Sequence, residues 1–142
     1  MSRCPSTTLS PASCLCGGIA LELTPPFLIA SCCHCEHCRK HSGTFGSVAI
    51  EVPVEQMRLV AGEELLERFQ PAPGLAIKIF CRRCGSSLFG RNEPDSETIW
   101  VRMGVLDADP DLRPSRHTWV HSAPAWLSVP EDGLPRYGQR SS

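Results

Sequence analysis

Three short cysteine groups carry the chemistry open to this sequence: Cys14-Leu-Cys16-Gly-Gly, Cys33-His-Cys35-Glu-His-Cys38 and Cys81-Arg-Arg-Cys84-Gly. Thiolate sulfur is a preferred ligand of zinc, which gathers four donors in a tetrahedron with Zn–S near about 2.3 Å. Two cysteines separated by two residues can aim both sulfurs at one ion if the backbone makes a tight knuckle. A glycine after the second cysteine, as at Gly17 and Gly85, permits the positive φ that such a knuckle uses. A lone Cys-x-x-Cys also occurs in redox proteins; two of them with a Cys-x-Cys point to metal. Seven of the nine cysteines are thus candidate zinc ligands, enough for two ions. Cys4 lies in an N-terminal arm outside the spacing. Cys32 points away from Cys33 if a strand runs that far, which predicts a small buried residue.

Spacing alone leaves the partition of these ligands open. Cys35/Cys38 could join Cys81/Cys84 as a zinc ribbon, although the 42 residues between the pairs exceed the roughly 15–20 usual for that motif. Alternatively, Cys14/Cys16 could join Cys81/Cys84 in a closed four-thiolate site, a long loop closure. Cys33, Cys35 and Cys38 would then form a three-thiolate group. A closed site stabilises a fold, whereas a three-ligand site leaves a zinc position open to water or substrate. His34, His37 or His41 could close it, and His41, three residues after Cys38, is the best placed. Arg39, Lys40, Arg82 and Arg83 each lie beside a cysteine pair, where a cation favours thiolate.

The elements that must position these groups read as short strands. Candidates are Ile19–Thr24, Phe27–Cys32, Ser47–Val52, Met57–Val60, Leu65–Phe69, Leu75–Phe80 and Thr98–Met103, the last two richest in β-branched and aromatic residues. Helix is confined to a turn over Cys35–His41 and one short possibility within Pro53–Gly62. Thirteen prolines and eleven glycines fall mainly between the strands, as in a compact all-β domain. Residues 70–74, 91–96 and 107–111 read as loops. The boundaries expected are a flexible arm over 1–12, one domain over 13–137 and a flexible tail over 138–142.

Composition narrows the classes. The 142 residues are 42% apolar and 20% charged, a soluble single-domain profile. No run approaches a membrane span, and the first ten residues lack the apolar core of a signal peptide. The expectation is cytoplasmic, where clustered thiols hold metal more often than they form disulfides. A formal net charge of −1 gives no electrostatic reason to bind nucleic acid. Seven thiolates on two divalent ions would lower it further, to about −4. Ser86 and Ser87 lack a nucleophile elbow, and no phosphate-binding glycine pattern occurs. Trp100, Trp119 and Trp126 read as core or rim aromatics.

The three cysteine motifs, written Cys14-x-Cys16-Gly-Gly, Cys33-His-Cys35-x-x-Cys38-Arg-Lys-x-x-Gly43 and Phe80-Cys81-x-x-Cys84-Gly-Ser, resemble those of the glutathione-dependent formaldehyde-activating enzymes. That family also includes centromere protein V. His117-x-Trp-Val, Ala-Pro-Ala-Trp126 and Asp132-Gly-Leu-Pro135 are weaker matches, and the resemblance spans about Ser13 to Tyr137. It implies a mainly β, β-tent fold of small antiparallel sheets stapled by zinc. It also implies that Cys14, Cys16, Cys81 and Cys84 hold a structural zinc, and that Cys33, Cys35 and Cys38 hold a catalytic one. All seven positions are cysteine here.

The activity so implied is zinc-dependent carbon–sulfur lyase or synthase chemistry on a small thiol adduct such as S-hydroxymethylglutathione. Glutathione or another small thiol would be the partner, with formaldehyde as the acceptor. Three thiolates weaken the Lewis acidity of zinc, so binding the thiol is favoured over polarising the aldehyde. Arg39, Arg91, Arg102 and Arg116 are candidate partners for the carboxylates of glutathione. The alternative is a zinc-stabilised interaction module without enzymatic activity; protein partners are not specified by the motifs. A purely structural domain with both sites closed is a third reading.

Overall fold

In the computed structural model, residues 9–92 and 96–139 are described. The described residues form ten strands and one α-helix: β1 (Ser10–Ser13), β2 (Ala20–Leu23), β3 (Ile29–Cys33), α1 (Glu36–Ser42), β4 (Ser47–Pro53), β5 (Met57–Ala61), β6 (Leu66–Phe69), β7 (Ile77–Cys81), β8 (Ser87–Arg91), β9 (Thr98–Arg102) and β10 (Pro114–Thr118). The mainly β class expected from the sequence holds. Each of the seven strands read from the sequence is present, with its ends displaced by at most two residues.

The strands form two sheets. One has the order β1-β2-β5; the other runs β10-β3-β4-β9-β8-β7-β6. Neighbours pair antiparallel except β10, which runs parallel to β3. Alternation along the strands builds the interior: Leu21 and Leu23 of β2, Ile50 and Val52 of β4, and Ile99 and Val101 of β9 are essentially inaccessible. Leu21 packs in a cluster with Ala12, Ile19 and Leu88 that includes Cys14 and Cys81. Leu23 packs with Ala30, Ile50, Val52, Ile99 and Val101. The small sheet therefore shares its interior with the large one, and Cys14, just after β1, lies in the same cluster as Cys81 of β7. Burying six aliphatic side chains of this kind contributes on the order of 10 kcal/mol before chain entropy is charged against it.

Three expectations change. Residues 10–12 form β1, paired with β2 through Ala12↔Leu21, instead of belonging to an arm; residues 1–8, including Cys4, lie outside the described residues. The helix considered within Pro53–Gly62 is one 3-10 turn, Val54–Gln56, followed directly by β5. At the start of the expected tail, the Gly138 and Gln139 carbonyls accept from His121 N–H at 3.4 Å and Trp119 N–H at 2.8 Å.

The helical turn expected over Cys35–His41 is α1, at Glu36–Ser42, and its start and stop are written locally. Cys35 is the N-cap, with its sulfur accepting from the Cys38 N–H, and Gly43 ends the helix at φ 76°. Glu36 lies in the first turn and Arg39, Lys40 and His41 in the last, complementing the helix dipole.

Candidate metal centres

The four sulfurs of Cys14, Cys16, Cys81 and Cys84 lie within 4.8 Å of one another, as do the three of Cys33, Cys35 and Cys38. The geometry groups the sulfurs as four and three, and Cys35/Cys38 do not meet Cys81/Cys84. Cys14 and Cys16 sit on the turn after β1. Cys81 ends β7, and Cys84 follows it across the tight turn that Gly85, at φ 80°, completes. Sγ–Sγ distances of 3.5 Å for Cys14–Cys16 and 3.8 Å for Cys16–Cys81 match the edge of a tetrahedron with 2.3 Å arms, about 3.8 Å. The donor set therefore fits zinc.

Hydrogen bonds to sulfur hold the four-cysteine group. The Ile19 N–H donates to Cys14 Sγ at 3.2 Å, and Arg83 Nε donates to Cys16 Sγ at 3.2 Å. The Gly18 backbone bond, with Arg83 next in weight, holds the Cys16 thiol below its ordinary range. Ser86 does the same for Cys84, whose thiol is pushed down to about 5. Of the cations beside cysteines, Arg83 thus touches one, whereas Lys40 pairs at 3.6 Å with Glu36.

The three-cysteine group sits where β3 ends and α1 begins. Cys33 closes β3, Cys35 caps α1 and Cys38 faces inward from its first turn. Cys38, 7% exposed, is held far below the usual thiol range. The Cys33 and Cys35 thiols donate to it, and Lys78 and Arg102 add positive charge. Cys33 moves in the opposite direction, through those same sulfur contacts and burial. Among the described residues, no histidine or carboxylate joins this group. His34 turns away to bond His117, and His41 Nδ1 lies 3.1 Å from Ser87 Oγ. His37 is exposed. Cys32 also stands apart and buried, as its place in the strand predicts.

The profile of the glutathione-dependent formaldehyde-activating enzyme family matches residues 10–122, taking in both cysteine groups. The chain belongs to this family. Two provisionally named glutathione-dependent formaldehyde-activating enzymes, from Aspergillus flavus and Aspergillus oryzae, are each 36% identical over 63 residues, 44% of this chain and 32% of theirs. The match therefore spans about a third of the length of those relatives. A crystal structure of a Rhodobacter sphaeroides protein superposes with a TM-score of 0.59 at 23% identity, over 89% of this chain and 98% of that one. That likeness concerns the fold.

Two features of this family member were not read from the sequence as functional. The first is a chain of side chains, buried at its two imidazoles, that runs from the residue between Cys33 and Cys35 to Asp132. His34 Nε2 lies 2.9 Å from His117 Nδ1, and His117 Nε2 lies 2.8 Å from Asp132 Oδ2. Both imidazoles are 2% exposed. Since His34 stands between Cys33 and Cys35, this chain fixes the loop that carries two of the three sulfurs. His34 also lines a small apolar cavity of about 130 Å³ with Phe45, Pro124, Leu127, Ser128 and Pro130. His117 and Asp132 occurred in the weaker C-terminal motifs, but nothing in those motifs links them across 83 residues to His34.

The second feature is Lys78. It is 4% exposed and places Nζ 3.9 Å from Cys38 Sγ. The candidate arginines divide around it. Arg102 Nε is 3.4 Å from Ser87 Oγ, the hydroxyl that His41 also contacts. Arg116 Nε donates to Ser31 Oγ at 2.7 Å, and Arg91 Nη2 to the Ser96 carbonyl at 2.6 Å. Arg39, on α1, has a buried Nε without a hydrogen-bond partner. The expected aromatics do not enter the buried core: Trp100 and Trp119 are half-buried and Trp126 is 65% exposed.

Proposed function

We propose that this family member is a zinc-dependent carbon–sulfur lyase or synthase acting on a small thiol adduct such as S-hydroxymethylglutathione. The observation that carries this reading is the unequal split of sulfurs. Four approximate a complete tetrahedron, while three lie together with no fourth protein donor among the described residues. Cys14, Cys16, Cys81 and Cys84 would hold a structural zinc, and Cys33, Cys35 and Cys38 a reactive one. Zinc at the triad would hold a small thiol as thiolate at neutral pH.

In the forward direction a carbon–sulfur bond forms between thiol sulfur and formaldehyde carbon. The carbonyl π bond opens onto oxygen, and the proton lost from sulfur ends on that oxygen. Lyase action is the reverse. The residues of this chain bind and orient: the knuckle Cys33–Cys38 fixes three donors, and the His34–His117–Asp132 chain holds the knuckle still. Arg102 and Lys78 place positive charge beside Cys38, where an anionic sulfur enters. The proposal includes a cytoplasmic, thiol-reducing setting, since oxidation would remove the donors.

Metal analysis of the purified chain tests this directly, with two zinc ions per chain expected. The triad ion should yield to a chelator well before the other. Magnetisation-exchange NMR with ¹³C-formaldehyde and glutathione should show interconversion with S-hydroxymethylglutathione faster than the spontaneous rate. Equal chelator resistance of both ions together with no rate enhancement would sink the proposal.

A further inference from the structure

Lys78 is buried on β7, yet among the described residues no carboxylate lies within ion-pair distance of it or of Arg102. Its polar neighbour is Cys38 Sγ, at 3.9 Å. An ammonium group withdrawn from water is costly unless negative charge meets it, so the charge it answers must be that of the cysteine triad and whatever joins the triad. The sheet makes room for this arrangement. Lys78 is paired directly opposite Gly90 of β8, and Gly90 opposite Trp100 of β9. Opposed residues share a face, and Arg102, two residues beyond Trp100, shares it too. A Cβ at Gly90 would lie 3.1 Å from the Ile77 carbonyl oxygen and 3.9 Å from Arg102 Nη2, so the glycine leaves the strand uncrowded beside that guanidinium. Ser87 joins Arg102 to His41 of α1, the helix that carries Cys38.

The charge count on this face is specific. Three thiolates around a divalent ion leave one net negative charge, which Lys78 alone matches. A fourth thiolate would leave two, which Lys78 and Arg102 together match, whereas a neutral fourth ligand would leave the second cation unanswered. Resting on the reading that the triad receives a thiol, we infer that Lys78 is a positioning residue that makes this place selective for an anionic sulfur ligand over a neutral donor, with Arg102 supplying the second charge. The ligand class is a small thiolate.

The full chain loaded with Co²⁺ in place of zinc tests this, because cobalt absorption reports the ligand set directly. Difference spectra isolate the triad, the four-sulfur group having no free position. Wild-type protein is titrated with glutathione, with S-methylglutathione as the blocked control, and separately with imidazole as a neutral donor. Coulomb attraction over about 6 Å at an effective dielectric near 20 supports at least a tenfold effect on a charged ligand. Lys78→Met should therefore bind glutathione at least tenfold more weakly while imidazole affinity stays within about twofold; Lys78→Arg should recover most of the loss. Lys78→Gln serves if the methionine variant does not fold. Undiminished glutathione affinity in the neutral variants overturns the inference and leaves the thiol reading standing. Equal weakening toward both ligands also overturns it, as the mark of a merely structural lysine. Wild-type protein that takes up no thiol overturns the thiol reading itself, and this inference with it.

Discussion

Replacing His117 by alanine should cost this protein about 3–5 kcal/mol, and the sum can be worked from the His34–His117–Asp132 chain. His117 is 2% exposed and bonds His34 at 2.9 Å and Asp132 at 2.8 Å. Its loss strands His34 Nε2, a buried polar atom then left without its partner, at about 1–3 kcal/mol. Truncating a buried ring adds a cavity cost of about 2 kcal/mol, taken at the low end because imidazole is polar. Asp132, 36% exposed on its side chain, can turn to water and adds little. Asp132→Asn keeps an acceptor for His117 and should cost about 1 kcal/mol. The assay is urea unfolding at pH 7.5 with zinc in fixed excess, supported by melting temperature. For a chain of this size the His117→Ala loss corresponds to a drop of roughly 10–15 °C. A loss under about 1 kcal/mol would refute the reasoning, because it would mean that His34 readily finds another partner.

The remaining predictions probe the cysteine groups and the ground around them. Cys81→Ser should leave the chain unfolded or molten by circular dichroism, since a structural zinc contributes on the order of 10 kcal/mol; Cys35→Ser should fold, retain one zinc and lose thiol binding. Gly46→Ala would drive a Cβ into the Cys33 carbonyl oxygen, so backbone must shift; about 1–3 kcal/mol of stability and part of any metal at the triad should be lost, read by unfolding and metal analysis. Burial first, and then the charge of His117, lowers the His34 pKa, while burial and then Lys78 lower that of His41. The unfolded chain therefore takes up protons at about pH 6.5 that the folded chain refuses, so stability falls as pH drops through that value. NMR midpoints for both imidazoles should lie below about 6.5, and a midpoint above it would contradict the burial argument.

Legibility in the sequence followed how locally each feature is encoded. Strands such as Ile77–Cys81 and Thr98–Arg102 announce themselves by β-branched and aromatic side chains that suit a pleated, half-buried surface. The strands that were missed lack that signal. Ser10–Ser13 contains a proline and sits at a sheet edge, Ser87–Arg91 carries Gly90, and Pro114–Thr118 is polar and has β3 as its partner strand. β10 pairs with a partner some 84 residues earlier, at Pro114↔Ala30, and an edge strand such as β1 tolerates the proline that an interior one would not. The candidate ligands were legible because sulfur spacing is a local property, but their partition needed either a resemblance or coordinates. Lys78 was invisible as anything but a strand residue. Its meaning lies in what stands 40 residues away, at Cys38.

The separation of the two cysteine groups along the chain also bears on how the molecule comes into being. Cys33, Cys35 and Cys38 lie within one knuckle, so they can meet as soon as that segment leaves the ribosome. Cys14 and Cys16 must wait for Cys81 and Cys84; the Cys16–Cys81 contact spans 65 residues. At about 5–20 residues per second, the earlier thiols of the staple remain unpartnered for several seconds of each synthesis. A nascent chain therefore completes its three-cysteine knuckle before the four-cysteine group that joins β1 to β7. During that interval, oxidants and stray metal ions compete for Cys14 and Cys16 on a molecule whose small sheet has yet to be fastened down.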